Sequence, residues 1–250
     1  MPRASGNTRR RRTAVFAALG YLSCATLGAP APDLTRMVEN VTAETWPEGK
    51  TPAGSGFIVG PSGQVFTNAH VITGCKNISV TSARDGVRPA IILGADNRLD
   101  AAVVVMEGLR TPAYLRFTME SAKPAADVTI AIRSVTSGEF QPVYGRLLGL
   151  TRVPPQGEFL HIDTMLQPGS SGAAVVDADG FAIGYVIGRL KDKPAVGLAL
   201  PTRSIARFLA YFDLPAPLKR QGAGASPPSG ASAKASHPLL EDAIVTVGCH

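Results

Sequence analysis

The main pattern along the chain is a series of short runs in which apolar residues alternate with polar ones or form small clusters. Residues 54–68 (GSGFIVGPSGQVFTN) contain two such runs around Pro61-Ser62-Gly63, which predicts a β-hairpin. Nine further runs are interpreted as strands, at 77–82, 90–93, 101–106, 128–132, 144–150, 159–164, 174–176, 181–187 and 196–200. Short strands at such regular spacing predict an all-β fold, an antiparallel barrel or sandwich.

Helical periodicity is confined to two segments. Residues 33–46 carry apolar residues at helical spacing behind Asp33, which predicts a short helix. Residues 202–212 place apolar residues at i, i+3, i+4 and i+7 from Ile205, with Arg203 and Arg207 on the other face. We expect this amphipathic helix to pack on the β structure.

The two ends differ from the body in composition. Residues 1–29 combine five arginines with the apolar stretch 13–22 (TAVFAALGYL), which is typical of a secretory signal and predicts an exported, periplasmic or secreted protein. An uncleaved N-terminal membrane anchor remains the alternative, because residues 13–29 have the minimum length for a membrane span. Residues 215–250 form a Pro/Ala/Gly/Ser-rich linker with a short apolar tail, interpreted as a dispensable extension. The folded domain is therefore predicted at residues 30–214.

Charge and cysteine content narrow the function classes. The formal net charge is +6, but residues 1–29 contribute +5 and residues 215–250 contribute +1, so the predicted domain is neutral. A neutral body without a basic stripe argues against a nucleic-acid partner. Cys75 and Cys249 remain after removal of the leader, and the sequence leaves open whether they pair. We find no ligand spacing for a metal and no phosphate loop, so no cofactor is expected.

Three polar residues at the ends of predicted strands could form a nucleophilic site. His70 follows the second strand of the hairpin, and Asp100 directly precedes an apolar strand. Ser171 lies in a turn of small residues, 167–173 (QPGSSGA), that can direct backbone N–H groups to one point. A hydroxyl, a base and an orienting acid are the three parts of nucleophilic serine catalysis. Their order along the chain differs from that of the α/β-hydrolases.

Four blocks resemble, in this order, the signature blocks of the HtrA (Deg) branch of trypsin-like serine proteases. They are GSGFIVGPSGQVFTNAHVI, NRLDAAVVVM, IDTMLQPGSSGAAVVDADGFAIGYVIG and VGLALPTRSIARFLA. The resemblance implies two six-stranded antiparallel β-barrels, with His70 and Asp100 on the first, Ser171 on the second and the site between them. It implies a serine endopeptidase with Ser171 as nucleophile, His70 as general base and Asp100 as orienting acid. The N–H groups of Gly169 and Ser171 would form the oxyanion hole.

The turn departs from the usual Gly-Asn-Ser-Gly-Gly of the family. Ser170 replaces the asparagine and is a rival nucleophile, whereas Ala173 replaces a glycine and would be strained if that position needs a positive φ. A PDZ domain often follows in this family, and none is expected in the 36 residues from 215 to 250. Because the turn reads Gly-Ser-Ser-Gly-Ala, a trypsin-fold protein that binds extended peptides in the cell envelope without turnover is the alternative function.

The resemblance also suggests a substrate preference. Met165 occupies the position of the floor of the primary specificity pocket, and further walls are expected from Leu166, Tyr185, Val186 and Ile187. An apolar lining predicts cleavage after small or medium apolar residues of exported or misfolded polypeptides. His161 is interpreted as structural, and the oligomeric state stays open.

Overall fold

The structure, a computed structural model, describes residues 38–39, 53–121, 123–153, 157–219 and 238–250. The predicted leader at 1–29 and residues 220–237 of the predicted linker lie outside this range. No helix within the described ranges is long and apolar enough to cross a membrane.

The described elements are mostly short strands, as the sequence pattern predicts. In chain order they are β1 (Val38–Glu39), β2 (Ala53–Ile58), β3 (Gln64–Thr67), α1 (Ala69–Ile72), β4 (Ile78–Ser82), β5 (Gly86–Asp96), β6 (Ala101–Met106), β7 (Asp127–Ala131), β8 (Val143–Val153), β9 (Gly157–Asp163), β10 (Ala174–Val176), β11 (Ala182–Leu190), β12 (Lys193–Pro201), α2 (Thr202–Tyr211), α3 (Pro238–Ala243) and β13 (Ile244–Cys249).

The first barrel is a closed ring of antiparallel strands in the order β13-β2-β3-β6-β5-β4. The predicted hairpin is present: Phe57 pairs with Phe66 and Ile58 with Val65, and Gly63 provides the positive φ of the turn at +76°. Alternation along β4, where every second residue is buried, fills the interior of the ring.

The second barrel runs β11-β10-β7-β8-β9-β12 and closes by pairing of β11 with β12, so the prediction of two six-stranded antiparallel barrels is confirmed. Strand β1 adds to this sheet, with Val38 opposite Leu190. The short helix predicted at 33–46 is wrong at Val38 and Glu39, because backbone pairing with β11 holds them extended. The rest of that segment lies outside the described residues.

The end of the chain belongs to the first barrel, which corrects the predicted boundary at residue 214 and the interpretation of a dispensable tail. Strand β13 pairs with both β2 and β4 and closes the ring. Cys75 and Cys249 form a disulfide with a Cα–Cα distance of 5.1 Å. The buried Arg133, which follows β7, donates to the carbonyl oxygens of Ile244 and Glu241 at 2.9 and 2.7 Å.

One apolar cluster lies between the barrels and receives α2. Phe66 packs edge-on against Tyr185 of the second barrel at 4.8 Å and against Phe208 of α2 at 5.8 Å between ring centroids. Ile205 and Leu209 of α2 are fully buried, which confirms the predicted apolar stripe. Because residues of both barrels share this core, the strand ends that carry the candidate site are held in place from both sides.

Candidate active site

His70 and Asp100 lie together at one end of the first barrel. The short helix α1 presents His70 directly after β3, and Asp100 immediately precedes β6, which pairs with β3. His70 Nδ1 is 2.7 Å from Asp100 Oδ2, and the backbone N–H of His70 donates to Oδ1 at 3.0 Å. A carboxylate beside Nδ1 fixes the proton on that nitrogen, so Nε2 of the neutral ring is the basic atom.

Ser171 lies in a tight turn that leads into β10. Gly169 and Gly172 have φ of +88° and +83°, which glycine adopts without strain. A Cβ on Gly172 would collide with the carbonyl oxygen of Ser55 and lie 2.7 Å from Thr67 Oγ1, so no larger residue fits. The turn is thus built against the first barrel.

Ser55 of β2 anchors this turn from the opposite barrel. Its hydroxyl donates to the carbonyl of Gly169 at 2.6 Å, and its N–H donates to the carbonyl of Ser171 at 2.8 Å. These two bonds fix the orientation of the peptide group that precedes Ser170 and of the one that follows Ser171. Sequence analysis missed Ser55, because a serine in a glycine-rich strand carries no signal of a partner 114 residues away.

The two adjacent serines differ in their hydrogen bonds. The Ser170 hydroxyl accepts a hydrogen bond from the N–H of Gln167 at 3.0 Å and so belongs to the turn itself. Ser171 Oγ is buried and has no hydrogen-bond partner among the described residues. Ala173 is absent from the positions of positive φ, so the strain considered for this substitution does not arise.

Several polar groups of the site point at no protein partner within the described part of the chain. His70 Nε2 and Ser171 Oγ are both buried and without a hydrogen bond, to each other or to any other described group. The N–H groups of Gly169 and Ser171 likewise donate to no described acceptor. A buried polar group without a partner costs free energy, and such groups gather where a ligand binds.

The predicted pocket residues are placed differently from one another. Met165 is exposed, with 56% of its surface accessible, so it lies open to solvent rather than forming a closed floor. Leu166, Tyr185, Val186 and Ile187 are buried in the apolar clusters. The structure does not support these four side chains as walls of an open pocket. A cavity of about 170 Å³ lies elsewhere, between Gln64, Tyr114 and residues 214–217.

The pKa values of two further residues are shifted by their surroundings. Burial raises the pKa of the Tyr185 hydroxyl well above its usual value, and the carboxylates of Asp100 and Asp96 add to the effect. Burial lowers the pKa of His161, with a further contribution from the positive charge of Lys193. His161 lies on β9 in the second barrel, where it pairs with Leu198 of β12 and Gly149 of β8.

Comparison with known proteins identifies the family to which the chain belongs. The family model of the trypsin-like peptidase domain matches residues 54–184, more than half of the chain. The putative serine protease HhoB of Synechocystis is 31% identical over 159 residues, which cover 60% of this chain and 38% of that protein. Serine protease HTRA1 of Xenopus tropicalis is 30% identical over 168 residues, 63% of this chain and 35% of that protein. The chain thus matches little more than a third of the length of these two relatives.

A solved structure shows the same architecture. The Rv3671c protease of Mycobacterium tuberculosis in its active form superposes with a TM-score of 0.58 at 28% identity, over 66% of this chain and 76% of that one. The fold, the family match and these relatives confirm the resemblance noted in the sequence blocks. The chain belongs to the family of trypsin-like peptidases, with serine proteases of the HtrA type among its relatives.

Proposed function

We propose that the chain is a serine endopeptidase in which Ser171 is the nucleophile, His70 the general base and Asp100 the orienting acid. The observation that carries the proposal is the pairing of His70 Nδ1 with Asp100 at 2.7 Å, while Nε2 and Ser171 Oγ are buried and have no hydrogen-bond partner among the described residues. Hydrogen bonds between catalytic groups are often long in the absence of substrate and shorten in the substrate complex. The missing bond between His70 and Ser171 is therefore compatible with catalysis.

The proposed reaction follows from these positions. Ser171 Oγ attacks the carbonyl carbon of the scissile peptide while its proton passes to His70 Nε2. The carboxylate of Asp100 stays ionised and stabilises the imidazolium. The imidazolium then protonates the leaving amine nitrogen, the C–N bond breaks, and an ester between Ser171 and the acyl group remains. Water then attacks the ester while its proton passes to His70 Nε2; the ester C–O bond breaks, and His70 returns the proton to Ser171 Oγ as the acid product leaves.

The N–H groups of Gly169 and Ser171 are the proposed oxyanion hole. Support comes from their lack of any described acceptor and from Ser55, which binds the carbonyls of the same two residues. Preorganised donors of this kind stabilise the negative charge of the tetrahedral intermediate, and the loss of one donor typically costs about 10²- to 10³-fold in rate.

The substrate class and the location of the protein are proposed from the sequence. Exposed Met165 is the proposed contact for the side chain before the scissile bond, which favours small or medium apolar residues. The arginine-rich leader favours export, so exported or misfolded polypeptides are the proposed substrates. An uncleaved membrane anchor at residues 13–29 is the alternative to release of the exported protein.

The test is cleavage of casein and of a peptide library by the wild type and by Ser171→Ala. We expect loss of cleavage and loss of labelling by a fluorophosphonate in Ser171→Ala. Ser204→Ala, a serine on α2 outside the site, is the matched control and should retain both activities. Ser170→Ala should still be labelled, more slowly, because the turn loses the hydrogen bond from Gln167.

Two results would contradict the proposal. Labelling that persists in Ser171→Ala and disappears in Ser170→Ala would make Ser170 the nucleophile. A wild type that binds peptides but neither cleaves them nor reacts with the fluorophosphonate would establish the alternative, a peptide-binding protein without turnover.

A further inference from the structure

The backbone of Asp100 adopts an unusual conformation. Its φ is +48°, in the left-handed region that L-residues enter only at a cost in free energy, although aspartate tolerates it better than most. Such a conformation persists only where the surrounding structure holds it in place. For a residue whose carboxylate must meet an imidazole at 2.7 Å, the source of that restraint determines the geometry of the site.

Two buried side chains bind the carbonyl groups on either side of the Asp100 Cα. The hydroxyl of Tyr185 donates to the carbonyl of Leu99 at 2.7 Å, and Nδ2 of Asn68 donates to the carbonyl of Asp100 at 2.8 Å. The dihedral angles φ and ψ of Asp100 relate just these two peptide planes. With both planes held, the direction of the Asp100 side chain is fixed as well.

We propose that Tyr185 and Asn68 are positioning residues, which hold Asp100 in its left-handed conformation so that the carboxylate is aligned with His70. The inference rests on the proposed function, because it gives these two side chains a role in the same catalytic site. It also replaces the predicted role of Tyr185 as a pocket wall.

Tyr185 in addition connects the acid to the nucleophile. On β11 it pairs with Ala174 of β10, the strand that leads away from Ser171. Its neighbour Val186 accepts a hydrogen bond from the N–H of Gly172 at 3.0 Å and donates one to the carbonyl of Ala173 at 2.9 Å. One residue of the second barrel therefore contacts the acid-bearing segment of the first barrel through its side chain and the nucleophile-bearing segment through its strand.

The chemistry of the two donors suits a permanent restraint. Tyr185 is fully buried, and burial together with Asp100 and Asp96 raises the pKa of its hydroxyl, so the phenol keeps its proton at neutral pH. The amide of Asn68, also fully buried, does not titrate. The edge-on contact of the Tyr185 ring with Phe66 fixes the ring in the core.

The test is Tyr185→Phe in the full chain, which removes the hydroxyl and keeps the ring. We expect kcat for peptide cleavage to fall about tenfold with KM changed less than twofold, because substrate contacts stay and only the acid is misaligned. The downfield ¹H NMR resonance of the proton between His70 Nδ1 and Asp100 should shift upfield or broaden. That resonance needs no turnover, so it tests the inference even if Ser171→Ala shows that the proposed function is wrong.

Thr202→Val is the matched control for a purely structural effect. It removes a buried hydroxyl-to-carbonyl hydrogen bond of the same length, from Thr202 to Thr118 at 2.7 Å, on α2 and away from the triad. We expect comparable loss of thermal stability in the two variants, but the resonance and kcat should change only in Tyr185→Phe. Unchanged resonance and kcat in a folded Tyr185→Phe would overturn the inference, as would equal changes in both variants.

Asn68→Ala tests the second restraint. This substitution should also lower kcat. In the double variant of Tyr185→Phe and Asn68→Ala, kcat should fall by less than the product of the two single fold-changes, because Asp100 is already free to move once one peptide plane is released. Fully multiplicative losses would show that the two side chains act independently and would contradict a shared restraint.

Discussion

The two barrels are alike in strand number and differ in how the chain builds them. All six strands of the second barrel come from one continuous stretch, 127–201. Five strands of the first barrel come from residues 53–106, and the sixth, β13, comes from residues 244–249 at the other end of the chain. The second barrel therefore closes through local connections, whereas the first closes only when a distant segment returns.

Because of this difference, two of the three candidate catalytic residues lie on a barrel that is closed by β13. His70 and Asp100 lie on the first barrel, and β13 bridges its strands β2 and β4. The returning segment carries its own attachments, namely the disulfide to Cys75 and the hydrogen bonds from Arg133 of the second barrel. Such attachments offset the entropy lost in closing a long loop, a loss that the second barrel largely avoids.

Removal of residues 238–250 should have the largest effect on this comparison. The deletion exposes the edges of β2 and β4 and removes Ile244, Val245 and Val247, all fully buried. Burial of each such side chain contributes about 1.5–3 kcal/mol, and the sum approaches the whole stability of a typical domain. We expect the first barrel to lose protection in amide hydrogen exchange and fluorophosphonate labelling to fall more than about 100-fold.

A peptide of residues 238–250 added to the truncated protein provides the control. It should restore protection in the first barrel and part of the labelling, whereas the same peptide with Val245→Asp and Val247→Asp should not. Full activity of the truncated protein without peptide would show that closure of the first barrel is unnecessary for the site.

The disulfide should have the second-largest effect. Replacing both Cys75 and Cys249 by serine removes a cross-link between residues 174 positions apart. In the chain-entropy account this costs about 2–5 kcal/mol, because the unfolded chain regains freedom. The expected result in urea denaturation is a lower midpoint, with activity retained well below that midpoint because β13 keeps its strand partners.

Reductant separates this effect from other consequences of the double substitution. Dithiothreitol should lower the wild-type midpoint to that of the double variant and leave the double variant unchanged. Equal midpoints for the oxidised wild type and the double variant would mean that strand pairing alone closes the barrel.

The same contrast explains what sequence analysis could and could not predict. The strands of both barrels carry local alternation, and the hairpin turn at Gly63 carries its own signal, so the architecture was predictable. The run 239–247 (LLEDAIVTV) is visibly apolar, yet nothing local identifies its partners, because pairing with β2 and β4 is set by the barrel as a whole.

The candidate site shows a similar division. His70, Asp100 and Ser171 stand in recognisable motifs, whereas Tyr185 lies in an apolar strand, where sequence alone cannot distinguish a pocket wall from a core residue. Its hydrogen bond to Leu99 crosses from one barrel to the other and spans 86 residues. Contacts between the barrels are therefore the part of the site that could not be predicted from the sequence.

The smallest expected effect concerns pH and the second barrel alone. Burial, and next the charge of Lys193, lowers the pKa of His161 below its ordinary value near 6.5. The unfolded chain therefore binds the proton more readily than the folded chain. His161 has no effect on the free energy of unfolding when the pH is above the ordinary pKa, and it lowers that free energy as the pH falls from there through the lowered pKa.

His161→Gln should flatten the fall in urea midpoint between pH 7 and pH 5. Lys193→Gln should flatten it in part, because one of the two causes is removed. Parallel curves for the wild type and His161→Gln would show that the acid sensitivity of the second barrel has another source.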